Sequence, residues 1–331
     1  MLFSDNIWWN GLLGIFGVIV LIISAKVIVE RLIGVAHHYG FSESFVGLTV
    51  LSIGTSLPEI GSHVTASMGI LSGQLDYQVA SSMVLGANIG SDVVQQTLIL
   101  GIVVFLMGTI TFTQKFLYES YSVMIGTTLI TLLLGWDGMI SRTDGGILLI
   151  LFVAYMYFLY NRQTPKEHND STAQKLTNPI WVELLVILIG LSTLLFSSIL
   201  ALSATEFIVE HTGVGGSMIG VISLGVASAL PELFTAIQGL RNKSMGISVG
   251  TLIGSNITNP LVAIGLGGVI STFYVPKPLV HWDLPVETIS AALLLCWLRW
   301  SKGKLGRGGA IYLVVLYFVY LWIRIQYFSV D

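Results

Sequence analysis

Ten apolar stretches, each long enough to cross a lipid bilayer, leave this chain few folds to choose from. They run over residues 8–30, 44–70, 78–108, 117–136, 145–161, 178–208, 217–240, 246–274, 283–300 and 309–328, and about 20 apolar residues suffice for one crossing. Inside a bilayer every backbone N–H and C=O needs an internal partner, so such stretches form helices. The predicted class is therefore an all-α membrane protein of ten transmembrane helices. With 54% of residues hydrophobic and only 10% charged, a soluble enzyme or a nucleic-acid-binding protein is excluded. Several stretches exceed a single crossing, and tilted or interrupted helices are expected there. Residues 1–10 contain no Lys or Arg and no small-residue cleavage site, so the first stretch is expected to insert as a mature helix. The lone cysteine, Cys296, lies in an apolar run and permits no intramolecular disulfide.

One long polar stretch, residues 161–178, interrupts the series and carries Pro165, Glu167, Asp170 and Lys175. It divides the chain into a first half (residues 1–162), a linker (163–177) and a second half (178–331), with five apolar stretches in each half. An odd number per half forces the second to enter the membrane upside down, so duplicated halves make an inverted repeat. Four local matches, in the same order, point to duplication. Val27-Ile28-Val29-Glu30 matches Phe207-Ile208-Val209-Glu210, and Val46-Gly47 matches Ile219-Gly220. Leu57-Pro58-Glu59 matches Leu230-Pro231-Glu232, and Gly86-Ala87-Asn88-Ile89 matches Gly254-Ser255-Asn256-Ile257. Charge supplies the orientation. The odd-numbered connections and their flanks hold Arg31, Lys115, Arg162, Lys166, Lys175, Arg241, Lys243, Arg299, Lys302, Lys304 and Arg307, whereas the even-numbered ones hold only Arg142 and Lys277. Basic residues favour the cytoplasmic face, which places the linker in the cytoplasm and both termini outside. Trp8, Trp9, Trp136, Trp181, Trp282, Trp297 and Trp300 lie near stretch ends and are expected as interfacial anchors among the membrane lipids.

The chemistry concentrates in a repeated segment, Gly54-Thr55-Ser56-Leu57-Pro58-Glu59 and Ala227-Ser228-Ala229-Leu230-Pro231-Glu232. A charge at bilayer depth costs at least about 2.5 kcal/mol, so two carboxylates in matching positions call for a cation. Each proline lacks an N–H and opposes the carbonyl four residues earlier. Pro58 thus frees the C=O of Gly54, and Pro231 that of Ala227. The hydroxyls of Thr55, Ser56 and Ser228 lie beside them, and the whole is a set of hard oxygen ligands of the kind that calcium and sodium take. No His/Cys constellation favours zinc or copper. A second polar layer consists of Asn88, Ser91, Asp92, Gln95 and Gln96 in the first half, and Asn256, Thr258, Asn259 and Pro260 in the second. Asp92 is a third candidate charge facing the cavity, with Asn88, Gln95 and Asn256 as tuning residues. His63 lies one turn after Glu59. It is read either as a proton or hydrogen-bond partner of Glu59, or as a histidine satisfied by neighbouring helices.

The same residues resemble the calcium/cation antiporter superfamily, in its prokaryotic sodium/calcium exchanger-like branch. The first segment is similar to the family's first repeat core. The second, with Leu233-Phe234-Thr235-Ala236, is similar to the second core, and Gly254-Ser255-Asn256-Ile257 to the helix that follows. The resemblance implies a ten-helix inverted-repeat fold with interrupted central helices in a prokaryotic cell membrane. It implies Glu59 and Glu232 as calcium ligands, with Thr55 and Ser228 contributing hydroxyl or backbone oxygen. It further implies that backbone oxygens at Ser52 and Gly225, with the Ser255 hydroxyl, serve sodium. Three positions depart from the family pattern: Ala87 and Ala229 replace hydroxyls, and Asn259 stands where an acid is usual. Counting back from Gly101 and Gly268 pairs Asp92 with Asn259, as though the acid had moved between halves, with Ser91 as the other claimant to that place.

The expected function is secondary exchange of calcium for sodium by alternating access, with no cofactor beyond the transported ions and no protein partner implied. Calcium/proton exchange, driven through Glu59 and His63, is the nearest alternative, and a passive cation channel is the alternative from another class. An enzyme finds no support, since neither Ser/His nor metal-protease spacing occurs.

Overall fold

Helical hydrogen bonding runs through the apolar stretches and breaks where proline withdraws a donor. The computed structural model describes residues 7–38, 47–162, 178–212, 214–241 and 245–331, so the linker 163–177 lies outside the described residues. Helix α1 spans Ile7–His38. Helix α2 (residues 47–71) is built from a π turn Gly47–Leu51, a short helix Ser52–Thr55 and a longer one Leu57–Leu71. Next come α3 (Tyr77–Met107), α4 (Gln114–Asp137) and α5 (Arg142–Arg162). The second half holds α6 (Ile180–Thr212), α7 (Gly216–Arg241), α8 (residues 245–270), α9 (Leu279–Trp300) and α10 (Arg307–Tyr327). Among the described residues, eight helical stretches are long and apolar enough to cross a membrane.

Helix α7 repeats the construction of α2. It has a π turn Gly220–Leu224, a short helix Gly225–Ser228 and then Leu230–Arg241. The residue at each break has its ψ opened to near zero, Ser56 at φ −78°, ψ 2° and Ala229 at φ −77°, ψ −4°. Both lie two positions before a proline whose missing N–H cannot hold the turn closed. Helices α3 and α8 likewise each contain a π turn, Gln95–Ile99 and Asn259–Ile264, as do α4 and α9, at Leu117–Tyr121 and Leu279–Asp283.

The fold is not purely helical. Strand β1 (Thr109–Thr111) pairs antiparallel with β4 (Lys304–Gly306), and β2 (Met139–Ile140) with β3 (Phe273–Tyr274). Each ribbon ties together two connections that are far apart in sequence, satisfying backbone groups at helix ends.

Helices α3 and α8 are the centre: 78% of the apolar window of each is buried, against 22% in α5. Helices α1 and α6 pack on each other along the outside of this core. Their outward side chains, such as Leu12, Ile19, Leu188 and Phe196, are exposed apolar groups that suit contact with lipid. Trp8 and Trp300 are exposed as anchors should be, but Trp282 is not: its ring stacks on Phe328 (5.5 Å) and Tyr320 (6.3 Å). That position packs the end of α10 and does not face the interface.

Small residues let α7 approach α3. A Cβ on Gly90 would lie 2.6 Å from the Val221 Cα, and one on Gly225 would lie 2.8 Å from the Ser91 backbone nitrogen. Neither backbone can retreat without parting the two helices that carry the polar layer. Gly90→Ala and Gly225→Ala are each expected to destabilise the protein by about 1–3 kcal/mol, read as earlier loss of the monodisperse peak on heating. An unchanged profile would mean that the helices do not approach this closely.

Candidate functional site

The two breaks deliver Glu59 and Glu232 to one buried layer at the centre of the molecule. Glu59 is 2% exposed and Glu232 fully buried. Each starts the first turn of a helix after its break, where the free N–H groups and the helix dipole suit a carboxylate.

Hydroxyls from opposite halves join around them. Ser91 Oγ donates to Glu59 Oε1 at 2.8 Å, and the Ser228 hydroxyl is a further neighbour of that carboxylate. The Thr55 and Ser255 hydroxyls lie 3.0 Å apart and flank Glu232. Ser52 Oγ bonds the carbonyls of Leu48 and Thr49 and approaches Thr258 Oγ1 at 3.3 Å. Asn259 Nδ2 donates to Asp92 Oδ1 at 2.6 Å, which brings the two positions paired by counting from Gly101 and Gly268 into direct contact. Asn88 Nδ2 reaches the Asn259 carbonyl at 3.3 Å, within the π turn of α8.

Many acceptors here lack donors. Glu59 Oε2, both Glu232 carboxylate oxygens, Ser56 Oγ and the side-chain oxygens of Asn88, Asn256 and Asn259 are all buried without a hydrogen-bond partner. A buried acceptor left unpaired costs about 1–3 kcal/mol, and more when charged. Seven such oxygens, three of them on the two acids and four on Ser56, Asn88, Asn256 and Asn259, fit a cation far better than a hydrogen-bond network. Among the described residues no group of three or more His, Cys, Asp or Glu forms a metal cluster, so Glu59, Glu232 and Asp92 do not converge as three acids on one point; the oxygens brought together are carboxylate, hydroxyl and amide, types that hard cations take.

Some expected ligands have other engagements. The backbone oxygen of Ser52 accepts from the Ser56 N–H at 3.0 Å and from Thr55 Oγ1 at 3.5 Å, and that of Gly225 from the Ala229 N–H at 3.1 Å and from Ser228 Oγ at 3.3 Å, so both lone pairs of each are engaged. His63 does not hydrogen-bond the Glu59 carboxylate. Its Nδ1 bonds the Glu59 main-chain oxygen at 2.8 Å, its ring sits edge-on to Phe273, and Nε2 is buried without a partner. A cleft reaches Glu59 and Ser228 and is also lined by Pro58, His63, Ala87 and Ala227.

Sequence reasoning missed further buried charge. Glu287 on α9 accepts from Thr128 Oγ1 of α4 at 2.8 Å. Asp283 and Arg324, both fully buried, pair at 3.0 Å, with Tyr320 Oη donating to Asp283 at 2.6 Å. Glu183 accepts from Arg31 at 3.3 Å, tying α6 to α1. Leu284-Pro285-Val286-Glu287 puts an acid just after a proline within an apolar stretch and was a readable signal; the Asp283–Arg324 pairing depends on how α9 meets α10 and left none.

The comparisons agree with this geometry. Residues 9–161 and 182–326 match the family model described as sodium/calcium exchanger protein. The chain is 28% identical over 322 residues to the inner membrane protein YrbG of Escherichia coli, covering 93% of this chain and 94% of that one. It is 23% identical over 356 residues to the sodium/calcium exchanger MaX1 of Methanosarcina acetivorans, covering 94% and 99%. Among solved structures it is similar to the sodium-calcium exchanger NCX_Mj soaked with Na+ and Sr2+, at 25% identity and a TM-score of 0.64, over 95% of this chain and 98% of that one. With both halves matched and the fold shared, this integral membrane chain belongs to the sodium/calcium exchanger protein family, a family of transporters.

Proposed function

We propose that the protein is a secondary antiporter that exchanges calcium for sodium by alternating access, binding the cation between Glu59 and Glu232. The observation that carries this reading is the set of buried, unpartnered acceptor oxygens contributed by both halves. Calcium is held by the two carboxylates with Thr55 and Ser228. Sodium takes the flanking oxygens of Ser52, Gly225, Ser255 and Ser91, with Asp92, Asn259 and the orphaned amide oxygens completing the layer. An empty pocket would leave the acids unneutralised at a cost of several kcal/mol each. The loaded pocket moves and the bare one resists, which couples the two ion flows.

Ten spans in two inverted five-helix repeats account for the architecture. The parts of α2 recur in α7 at an offset of 173 residues, 47 to 220 and 57 to 230. The ribbons support the same reading. β1 and β4 belong to the third and ninth connections, and β2 and β3 to the fourth and eighth; exchange of the halves turns one pair into the other. Lys302, Lys304 and Arg307 mark the β1–β4 side as cytoplasmic, in a prokaryotic cell membrane with the termini outside. The cleft to Glu59 then lies toward the outer halves of α1, α3 and α7.

Proton exchange is the competing driver, favoured by the bare Nε2 of His63 one turn from Glu59. Calcium uptake into proteoliposomes separates the two. An outward sodium gradient is expected to drive uptake at constant pH, and a pH gradient alone is not. Uptake driven by pH alone would replace sodium by protons, and uptake with neither gradient would make the protein a channel.

A further inference from the structure

We propose that Gln95 is a positioning residue that fixes the proton of the Ser91 hydroxyl on Glu59, so that one oxygen of this acid is anchored and the other left for the cation. The inference rests on Glu59 as an ion ligand.

The direction of every bond follows from one backbone carbonyl. Leu252 C=O can only accept, and the amide of Asn256 approaches it at 2.8 Å, so the approaching atom is Nδ2. The second N–H of Asn256 meets Gln95 at 3.0 Å, where it needs Oε1. The other end of the Gln95 amide is then Nε2, which donates to Ser91 Oγ at 3.0 Å. Ser91 has one proton, and with a donor already at its oxygen it gives that proton to Glu59 Oε1 at 2.8 Å. Turning over either amide would set two acceptors or two donors against each other. Asn256, Gln95 and Ser91 are all fully buried, so water cannot substitute for a broken link.

The chain runs from α8 through α3 to α2, joining the two halves of the protein. Glu232 has nothing equivalent. Both its oxygens are unpartnered, and the nearby hydroxyls of Thr55 and Ser255 bond each other. One oxygen of Glu59 is thus held at the end of a hydrogen-bond chain that crosses between the halves, whereas no such chain ends on Glu232.

The test is a mutant cycle on the full-length purified protein, with calcium affinity measured by titration calorimetry and transport in proteoliposomes. Gln95→Met is expected to weaken calcium binding about tenfold, the order of one lost bond to a charged group, with little change in maximal transport rate. Ser91→Ala alone is expected to weaken calcium binding by the same factor, and adding Gln95→Met to it to change affinity less than twofold; the maximal rate is compared for Gln95→Met only, because Ser91 also stands among the sodium ligands. Asn256→Leu breaks the chain at its first link and is expected to reproduce the loss of calcium affinity of Gln95→Met, which keeps the test open if either variant fails to fold. An unaltered affinity in Gln95→Met, or a second tenfold loss on top of Ser91→Ala, would mean that Gln95 only packs and would overturn the assignment. Wild-type protein that binds no calcium would instead remove the reading of the pocket as a calcium site.

Discussion

Glu59→Gln and Glu232→Gln are each expected to lower calcium affinity about a hundredfold or more and to bring calcium exchange to background. A unit charge about 4 Å from a monovalent ion, at an effective dielectric near 20, is worth about 4 kcal/mol, and a divalent ion doubles that. Relief of the desolvation of the lost carboxylate returns part of this, so the net effect is smaller than the bare Coulomb figure yet still large. Folding is expected to survive. Both acids sit in the first turn after a helix break, where glutamine is tolerated, and removing a buried charge that has no basic partner relieves the apo protein. The informative readout is therefore a pair: loss of transport together with a heating profile no worse than wild type. Either variant retaining near-normal exchange would show that the two acids are not joint ligands.

The second large effect concerns stability. Arg324 and Asp283 are fully buried and paired at 3.0 Å; Arg324 also donates to Ser217 Oγ at 2.6 Å, and Ser217 bonds the Asp331 side chain through its N–H and hydroxyl. This network fastens the end of α10 to the start of α7, the helix that carries Ser228 and Glu232. Breaking a buried pair by removing one partner costs about 3–5 kcal/mol, because the other charge is left bare, whereas replacing both by apolar groups is often neutral. Arg324→Met is thus expected to lower the temperature of unfolding by about 5–10 °C, taking the low end of the usual shift per kcal/mol for a chain of this size. Adding Asp283→Leu is expected to restore a large part of it. If the double variant is as unstable as the single one, the loss comes from packing of the long side chain and not from the stranded acid.

The acids themselves were legible in the sequence because the bilayer makes them anomalous. Other charges lie within apolar runs, but Glu59 and Glu232 each directly follow a proline there, and the effect of that proline on a helix needs no tertiary information. The repeat of α2 in α7 was readable for the same reason. What joins the halves was not. The contacts of Thr55 with Ser255, Ser52 with Thr258 and Asp92 with Asn259 arise only when α2 and α3 meet α8, and no spacing along one helix encodes them. The π turns at Gln95–Ile99 and Asn259–Ile264 each take up an extra residue per turn, so counting at 3.6 residues per turn loses the facing residue just where the polar layer lies. His63 shows the limit of helical spacing in another way. One turn separates it from Glu59, but its ring bonds the main-chain oxygen of Glu59 rather than the carboxylate.

The joint pocket is tested most directly by crystals of the protein soaked with strontium, whose anomalous scattering marks bound ions one by one. One principal peak is predicted between the halves, within direct coordination distance of carboxylate oxygens of both Glu59 and Glu232, a distance of about 2.3–2.6 Å for calcium. Separate peaks at the two acids, or a principal peak that touches neither, would contradict it.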